Sequence, residues 1–177
     1  MLSIYQIIVL EEWTMLKVAM VMGSDSDLPT LVPGIELLKE LHIPFEVRVI
    51  SAHRTPDAAH QFSTGAIDAG FGVLICAAGK AAHLAGVMAS GTTLPVIGIP
   101  VKAKELDGLD ALLATVQMPQ GMPVATVAID GAYNAALLAA QMIALGEPEL
   151  MAKIIDLRQN MTAKVIAKDE AIRAQFA

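Results

Sequence analysis

The sequence predicts an α/β fold: a parallel sheet covered by helices on both faces, a three-layer sandwich, with one further helix at the C-terminal end. Three observations predict it. Short apolar runs alternate with segments whose apolar residues recur at helical spacing. The connections between them are short and rich in Gly, Pro, Ser and Asp. The chain of 177 residues is 55% hydrophobic, enough to bury one substantial core, yet no run reaches the roughly 18–20 apolar residues of a membrane helix.

The first strand is expected over 16–22, a largely apolar run that Gly23-Ser24-Asp25-Ser26-Asp27 ends with the chemistry of a loop and helix start. A helix follows over 28–41, with Pro29 and Pro33-Gly34 confining its regular part to the later turns or leaving an early kink. The alternation continues with a strand over 44–50, a helix over 56–69, a strand over 72–77 and a helix over 81–90. It closes with a strand over 95–99, a helix over 109–116, a strand over 124–129 and a helix over 132–145. Beyond Gly146-Glu147-Pro148 the chain is more charged, and its apolar residues at Ile154, Leu157, Met161 and Val165 predict a helix packed on the domain or on a neighbouring subunit. The organisation is therefore one domain over 15–146 and a helical segment over 147–177. Residues 1–14 lack the basic start and small-residue cleavage site of a signal peptide. Glu11-Glu12 admits purine-rich codons like a ribosome-binding site, so Met15 is read as the natural start and 1–14 as an extension that is not native. The intact mass of protein from its native source tests that reading.

The net charge of −6 offers no basic stripe for a run of phosphates, which argues against a nucleic-acid partner but leaves room for a small anion. Mean hydropathy of +0.57 without a membrane span points to apolar surface buried between subunits. The single cysteine, Cys76, rules out an internal disulfide and fits a reducing, cytoplasmic setting. No Cys/His/carboxylate set has metal-ligand spacing, and no Ser/His/Asp set is favoured by position.

Chemistry is sought where strands end, because open parallel sheets bind ligands at their carboxyl edge. Ser24, Ser26 and Asp27 lie in a loop whose hydroxyls and free N–H groups suit an anion, or simply cap a helix. Asp27 also suits a sugar hydroxyl or ring amine. In SAHRTP, Arg54 brings a planar fork of donors, Ser51 and Thr55 add hydroxyls, and His53 brings an imidazole, whose unperturbed pKa of about 6.5 lets it carry a proton either way. A second such junction, Ala77-Ala78-Gly79-Lys80-Ala81-Ala82-His83-Leu84, has small residues that let a flat ligand approach the backbone. Tight packing explains its alanines equally well, but not Lys80. The loop Gln117–Pro123 reads as a lid or a connection, and His42 and His60 read as structural.

Taken in order, MGSDSD, SAHRTPD, AAHLAGVMASGTTLPVIGIPV, GLDALLATVQMPQGMPVATVAI and NAALLAAQ resemble the bacterial N5-carboxyaminoimidazole ribonucleotide mutase family of purine biosynthesis. The resemblance spans residues 15–145 nearly without gaps. It implies a flavodoxin-like fold, a homo-octamer with sites at subunit contacts, a ribonucleotide substrate, and neither cofactor nor metal. It also implies roles. His53 matches the general acid/base, and Ser24, Ser51 and Arg54 match phosphate-binding positions, with Asp27 for the ribose and Ser26 in the same loop. Gly79, Ala81, Ala82, His83 and Leu84 match the loop that lies against the imidazole and shelters carbon dioxide.

Where that family's loop reads close to AGAGGAAHLPG, this chain has Ala77, Lys80 and Ala85. Lys80 is the departure of consequence, since a related class that carboxylates aminoimidazole ribonucleotide directly has an arginine near it. Lys80 either binds a carboxylate or points into solvent from a helix start, at a cost of a few tenths of a kcal/mol. The His-Arg pair, AAHL and QMP side with the mutase. The loop Asp130–Asn134 is about two residues shorter than the common form. Direct carboxylation and a non-catalytic nucleotide-binding paralogue stand as the alternatives, and a histidine beside Arg54 argues against the second.

Overall fold

The computed structural model describes residues 15–177, so the expected extension over 1–14 lies outside the described residues. Strands β1 (Lys17–Met22), β2 (Phe45–Val49), β3 (Phe71–Gly79), β4 (Val96–Val101) and β5 (Ala125–Thr126) form one sheet in the order β2-β1-β3-β4-β5, every pair parallel. That order is flavodoxin-like, and its direction reverses between β1 and β3. Helices α1 (Leu28–Glu40), α2 (Pro56–Thr64), α3 (Leu84–Gly91), α4 (Leu109–Val116), α5 (Ala132–Ala144) and α6 (Pro148–Gln175) make the connections and the C-terminal end.

The period-two alternation of the strands divides the interior into two cores. Val18, Met20 and Met22 of β1, with Val73 and Ile75 of β3, face α1, α5 and the first turns of α6. Ala19, Val21, Leu74 and Cys76 point the other way, toward α2 and α3. Because both faces are covered, β1 and β3 read as continuous apolar runs rather than as alternating ones. Burial pushes the Cys76 thiol up to about 12, so it behaves as a small apolar side chain.

Helix α1 runs unbroken from Leu28 through Pro33, against the expected kink. Pro29 sits in the first turn, where no N–H is needed, and Pro33 forgoes a single bond, to the carbonyl of Pro29. Packing supplies the compensation, since Leu31, Ile35, Leu37 and Leu38 are buried on one side. Gly34 allows α1 to touch α5: a Cβ there would stand 2.6 Å from the carbonyl oxygen of Ala132, a backbone atom that no rotamer change can move. Gly34→Ala is therefore expected to destabilise. The helix-propensity gain of about 0.5–1 kcal/mol is outweighed by an overpacking cost of about 1–3 kcal/mol, read as a lower urea midpoint. His42 ends α1 in the left-handed conformation, φ 59°, with the amide N–H of Ile43 donating to the carbonyl of Leu38.

Other boundaries move for tertiary reasons. α2 stops at Thr64 rather than 69, where turns through Gly65 and Gly70 lead into β3. β3 runs two residues past its expected end, because Ala78 and Gly79 still pair with Pro100 and Val101. β5 is only two residues long, although the amide N–H groups of Val127 and Asp130 go on donating to Gly98 and Pro100 of β4. α6 buries Leu150 and Ile154 against the domain, while Val165, Ile166 and Ile172, further along, are exposed.

Candidate active site

Loops leaving β1, β2, β3 and β4 meet at the carboxyl edge of the sheet around a cavity of about 510 Å³. The β1 loop contributes Ser24, Ser26 and Asp27, and the β2 loop contributes Ser51, His53 and Arg54. Gly79, Lys80, Ala81 and Leu84 of the third junction complete the expected set on its wall. Ala82 is instead buried, 2% exposed, beneath the loop. His83 is exposed and does not line the cavity, but its ring touches His53, which does. A larger cleft of about 850 Å³ lies between α2, α3 and the loop before β5, but no titratable side chain lines it. Gly121, Met122 and Pro123 of the 117–123 loop face that cleft rather than His53, so within one chain the loop is a connection.

The central contact joins His53 and His83, thirty residues apart: Nε2 of His53 lies 2.9 Å from Nδ1 of His83. The rings meet edge to face, with centroids 5.0 Å apart. One nitrogen of the pair must carry the shared proton, so each imidazole sets the other's tautomer. Tight turns bring His83 there, the amide N–H of Ala82 donating to Lys80 and that of His83 to Ala81. They delay α3 to Leu84, three residues later than the sequence pattern suggests.

Arg54 ties the first two loops together. Its Nη2 donates to the carbonyl of Gly23 at 2.7 Å and its Nε to Oγ of Ser51 at 3.3 Å. A guanidinium has five N–H donors, so others remain for an anion. Ser51 is itself fixed, its amide donating to Oγ1 of Thr55 while that hydroxyl donates to the Ser51 carbonyl. Thus Thr55 shapes the loop rather than lining the cavity. Oγ of Ser26 donates to Oγ of Ser24 at 2.9 Å, and the Ser26 amide to the same oxygen, an N-cap. Capping and ligand binding are compatible here, because both serines also line the cavity. Half-burial raises the Asp27 carboxyl above its ordinary range, with Asp25 adding to the shift, while Ser26, Ser24 and Arg54 oppose it. Donors from a bound ligand would be welcome at such a carboxylate.

The sequence reading missed two groups. Lys102 lines the cavity, and Glu105 bonds Lys80, its Oε1 accepting from Nζ at 3.1 Å. The available signal was positional, since Lys102 follows the last residue of an apolar strand. The Lys80 hydrogen bond lowers the Glu105 carboxyl. Among the described residues no three His, Cys, Asp or Glu side chains gather to hold a metal ion, and no helix is long and apolar enough to cross a membrane.

Fold and cavity together define a flavodoxin-like α/β protein with a cleft at its topological switch point that gathers a histidine, an arginine, an aspartate and two lysines. The chain belongs to the AIR carboxylase family, whose sequence model matches residues 17–164. It is 50% identical over 157 residues to the N5-carboxyaminoimidazole ribonucleotide mutase of Mycobacterium tuberculosis, covering 89% of this chain and 90% of that one. The corresponding mutase of Pyrococcus horikoshii is 50% identical over 151 residues, 85% of each chain. Among solved structures, that of Treponema denticola PurE superposes with a TM-score of 0.79 at 27% identity, over 87% of this chain and 96% of that one.

Proposed function

We propose that the protein converts N5-carboxyaminoimidazole ribonucleotide to 4-carboxy-5-aminoimidazole ribonucleotide, a step of de novo purine biosynthesis. The observation that carries this reading is the 2.9 Å contact of His53 with His83 in a cavity that also holds Arg54. A proton carrier beside an anion site is what moving a carboxylate on a nucleotide requires. The identity of half the residues with mutases over nearly their full length supports the same choice of substrate.

In this reaction Arg54, Ser24 and Ser51 hold the 5′-phosphate, and Asp27 accepts from the ribose. The N–C bond of the carbamate breaks, carbon dioxide leaves, and His53 gives its proton to the departing nitrogen. Carbon 4 of the ring then attacks the retained carbon dioxide, and His53 takes the proton that carbon 4 loses. The two proton transfers balance, so no base or oxidant is consumed. His83 positions the His53 ring and is its nearest proton partner. The packed loop of Gly79, Ala81 and Leu84, with Ala82 beneath, keeps carbon dioxide from water. The enzyme works in the cytoplasm as a homo-octamer. Supporting assembly are the exposed Leu109, Leu113 and Val116, which form one stripe on α4, and the exposed apolar residues of α6. Light scattering gives the subunit number.

A paired assay tests the chemistry: N5-carboxyaminoimidazole ribonucleotide alone, against aminoimidazole ribonucleotide with varied bicarbonate. Fast product formation only from the first is expected. Efficient turnover only from the second, at low bicarbonate, would make the protein a direct carboxylase. No product from either would overturn the enzymatic reading.

A further inference from the structure

The cavity has a second cationic station besides Arg54. β3 and β4 pair with Gly79 opposite Val101, so Lys80 and Lys102 each follow the last paired residue of adjacent strands. Both line the cavity. In the strand order β2-β1-β3-β4, Arg54 follows β2, and β1 lies between it and the lysines. Two to three strand spacings of about 4.8 Å separate the stations, a span suited to a ribonucleotide with phosphate at one end and a second anion at the other.

Each lysine is capped by a carboxylate from one short segment after β4: Lys80 by Glu105 and Lys102 by Asp107, both at 3.1 Å. These side chains are largely exposed, 69% and 61% for the first pair and 59% and 80% for the second. Pairs so wet are worth little and are readily exchanged. Their backbones, by contrast, are held. Lys80 sits in the left-handed region at φ 54°, where a side chain is unfavourable and glycine is at ease. The amide N–H of Lys102 donates to Oδ1 of Asp130 at 2.9 Å. A lysine kept in a strained conformation, facing a cavity and loosely capped by an acid, is placed to release that acid for another.

We propose that Lys80 and Lys102 are the carboxylate-recognition station of the site, with Glu105 and Asp107 as resident surrogates that the migrating carboxylate displaces. This rests on the substrate class proposed above. Release of Glu105 and Asp107 from such exposed pairs costs little, whereas a carboxylate on a ribonucleotide already anchored at Arg54 pairs with the lysines without that loss of freedom, so the station selects carboxylated over uncarboxylated ribonucleotide rather than tightening all ligands. It also holds the product carboxylate at carbon 4, within the same cavity as His53.

Calorimetric titration tests this with two probes, 4-carboxy-5-aminoimidazole ribonucleotide and aminoimidazole ribonucleotide. The wild type is expected to prefer the carboxylated probe by about tenfold at low salt. Lys80→Gly, which suits its backbone, combined with Lys102→Gln should erase that preference and leave affinity for the uncarboxylated probe within about twofold. Glu105→Gln should tighten the carboxylated probe alone by about threefold, and being a surface change it leaves the melting temperature in place. A preference that survives the double substitution, or equal weakening of both probes, would overturn the proposal while leaving the substrate class intact. A wild type that binds neither probe would overturn the substrate class itself.

Discussion

His53→Asn is expected to abolish turnover while leaving ribonucleotide binding within a few-fold of wild type. General acid–base catalysis by a positioned side chain contributes about a hundred- to ten-thousand-fold, and asparagine has no titrating nitrogen with which to supply it. The asparagine amide stands where Nδ1 of the imidazole was and falls short of His83, so the 2.9 Å contact is lost, while the tie of Arg54 to the Gly23 carbonyl still holds the first two loops together. His53 is exposed to the cavity and outside both cores, so thermal stability should not fall. Measured kcat and Kd on one preparation separate the two effects. Turnover near the wild-type level would remove His53 from the mechanism. A His83 substitution should act more gently, lowering kcat with KM little changed, because the side chain lies outside the cavity lining and meets it only at His53.

Arg54→Ala should produce the complementary result, a large loss of affinity with kcat much less affected. Hydrogen bonds to a charged group are worth about 1.5–3 kcal/mol, which makes KM rise about ten- to a hundredfold. Some loss of loop order is included, since the guanidinium also bonds the Gly23 carbonyl and Ser51. Binding of the corresponding ribonucleoside, which lacks the phosphate, distinguishes the two contributions. If Arg54 holds the phosphate, nucleoside binding changes little in the variant. If nucleoside and nucleotide weaken alike, the role of Arg54 is to brace the loops. Arg54→Lys keeps a charge without the planar fork, so it should restore only part of the affinity.

The location of the candidate site was legible because its residues obey a rule that needs no coordinates. Polar and charged groups at the end of an apolar run, before a helical segment, mark the carboxyl edge of a parallel strand. SAHRTP and the segment around Lys80 satisfy it, and Ser51, His53, Arg54 and Lys80 among them do line one cavity. Lys102 satisfies it as well, but a single lysine after VIGIPV carries no motif. Glu105 gave no signal, because its importance lies only in what its carboxylate touches. The histidine pair was half visible: both residues stood out, but no local pattern states that a side chain after β2 meets one after β3.

Composition and periodicity by themselves determined the class of fold, the order of its elements, the apolar strands and the junctions whose loops meet around the cavity. Those properties follow from local conformational preference and from the need to bury apolar surface, both written residue by residue along the chain. Tertiary structure decided the rest. It carried α1 straight through Pro33 by packing it on α5, extended β3 over Gly79 through pairing with Val101, and cut β5 to two residues at the sheet edge. It also placed His53 against His83 and Lys80 against Glu105. Each of these depends on the distance between residues far apart in sequence, which is fixed only when strands from different parts of the chain pair in register.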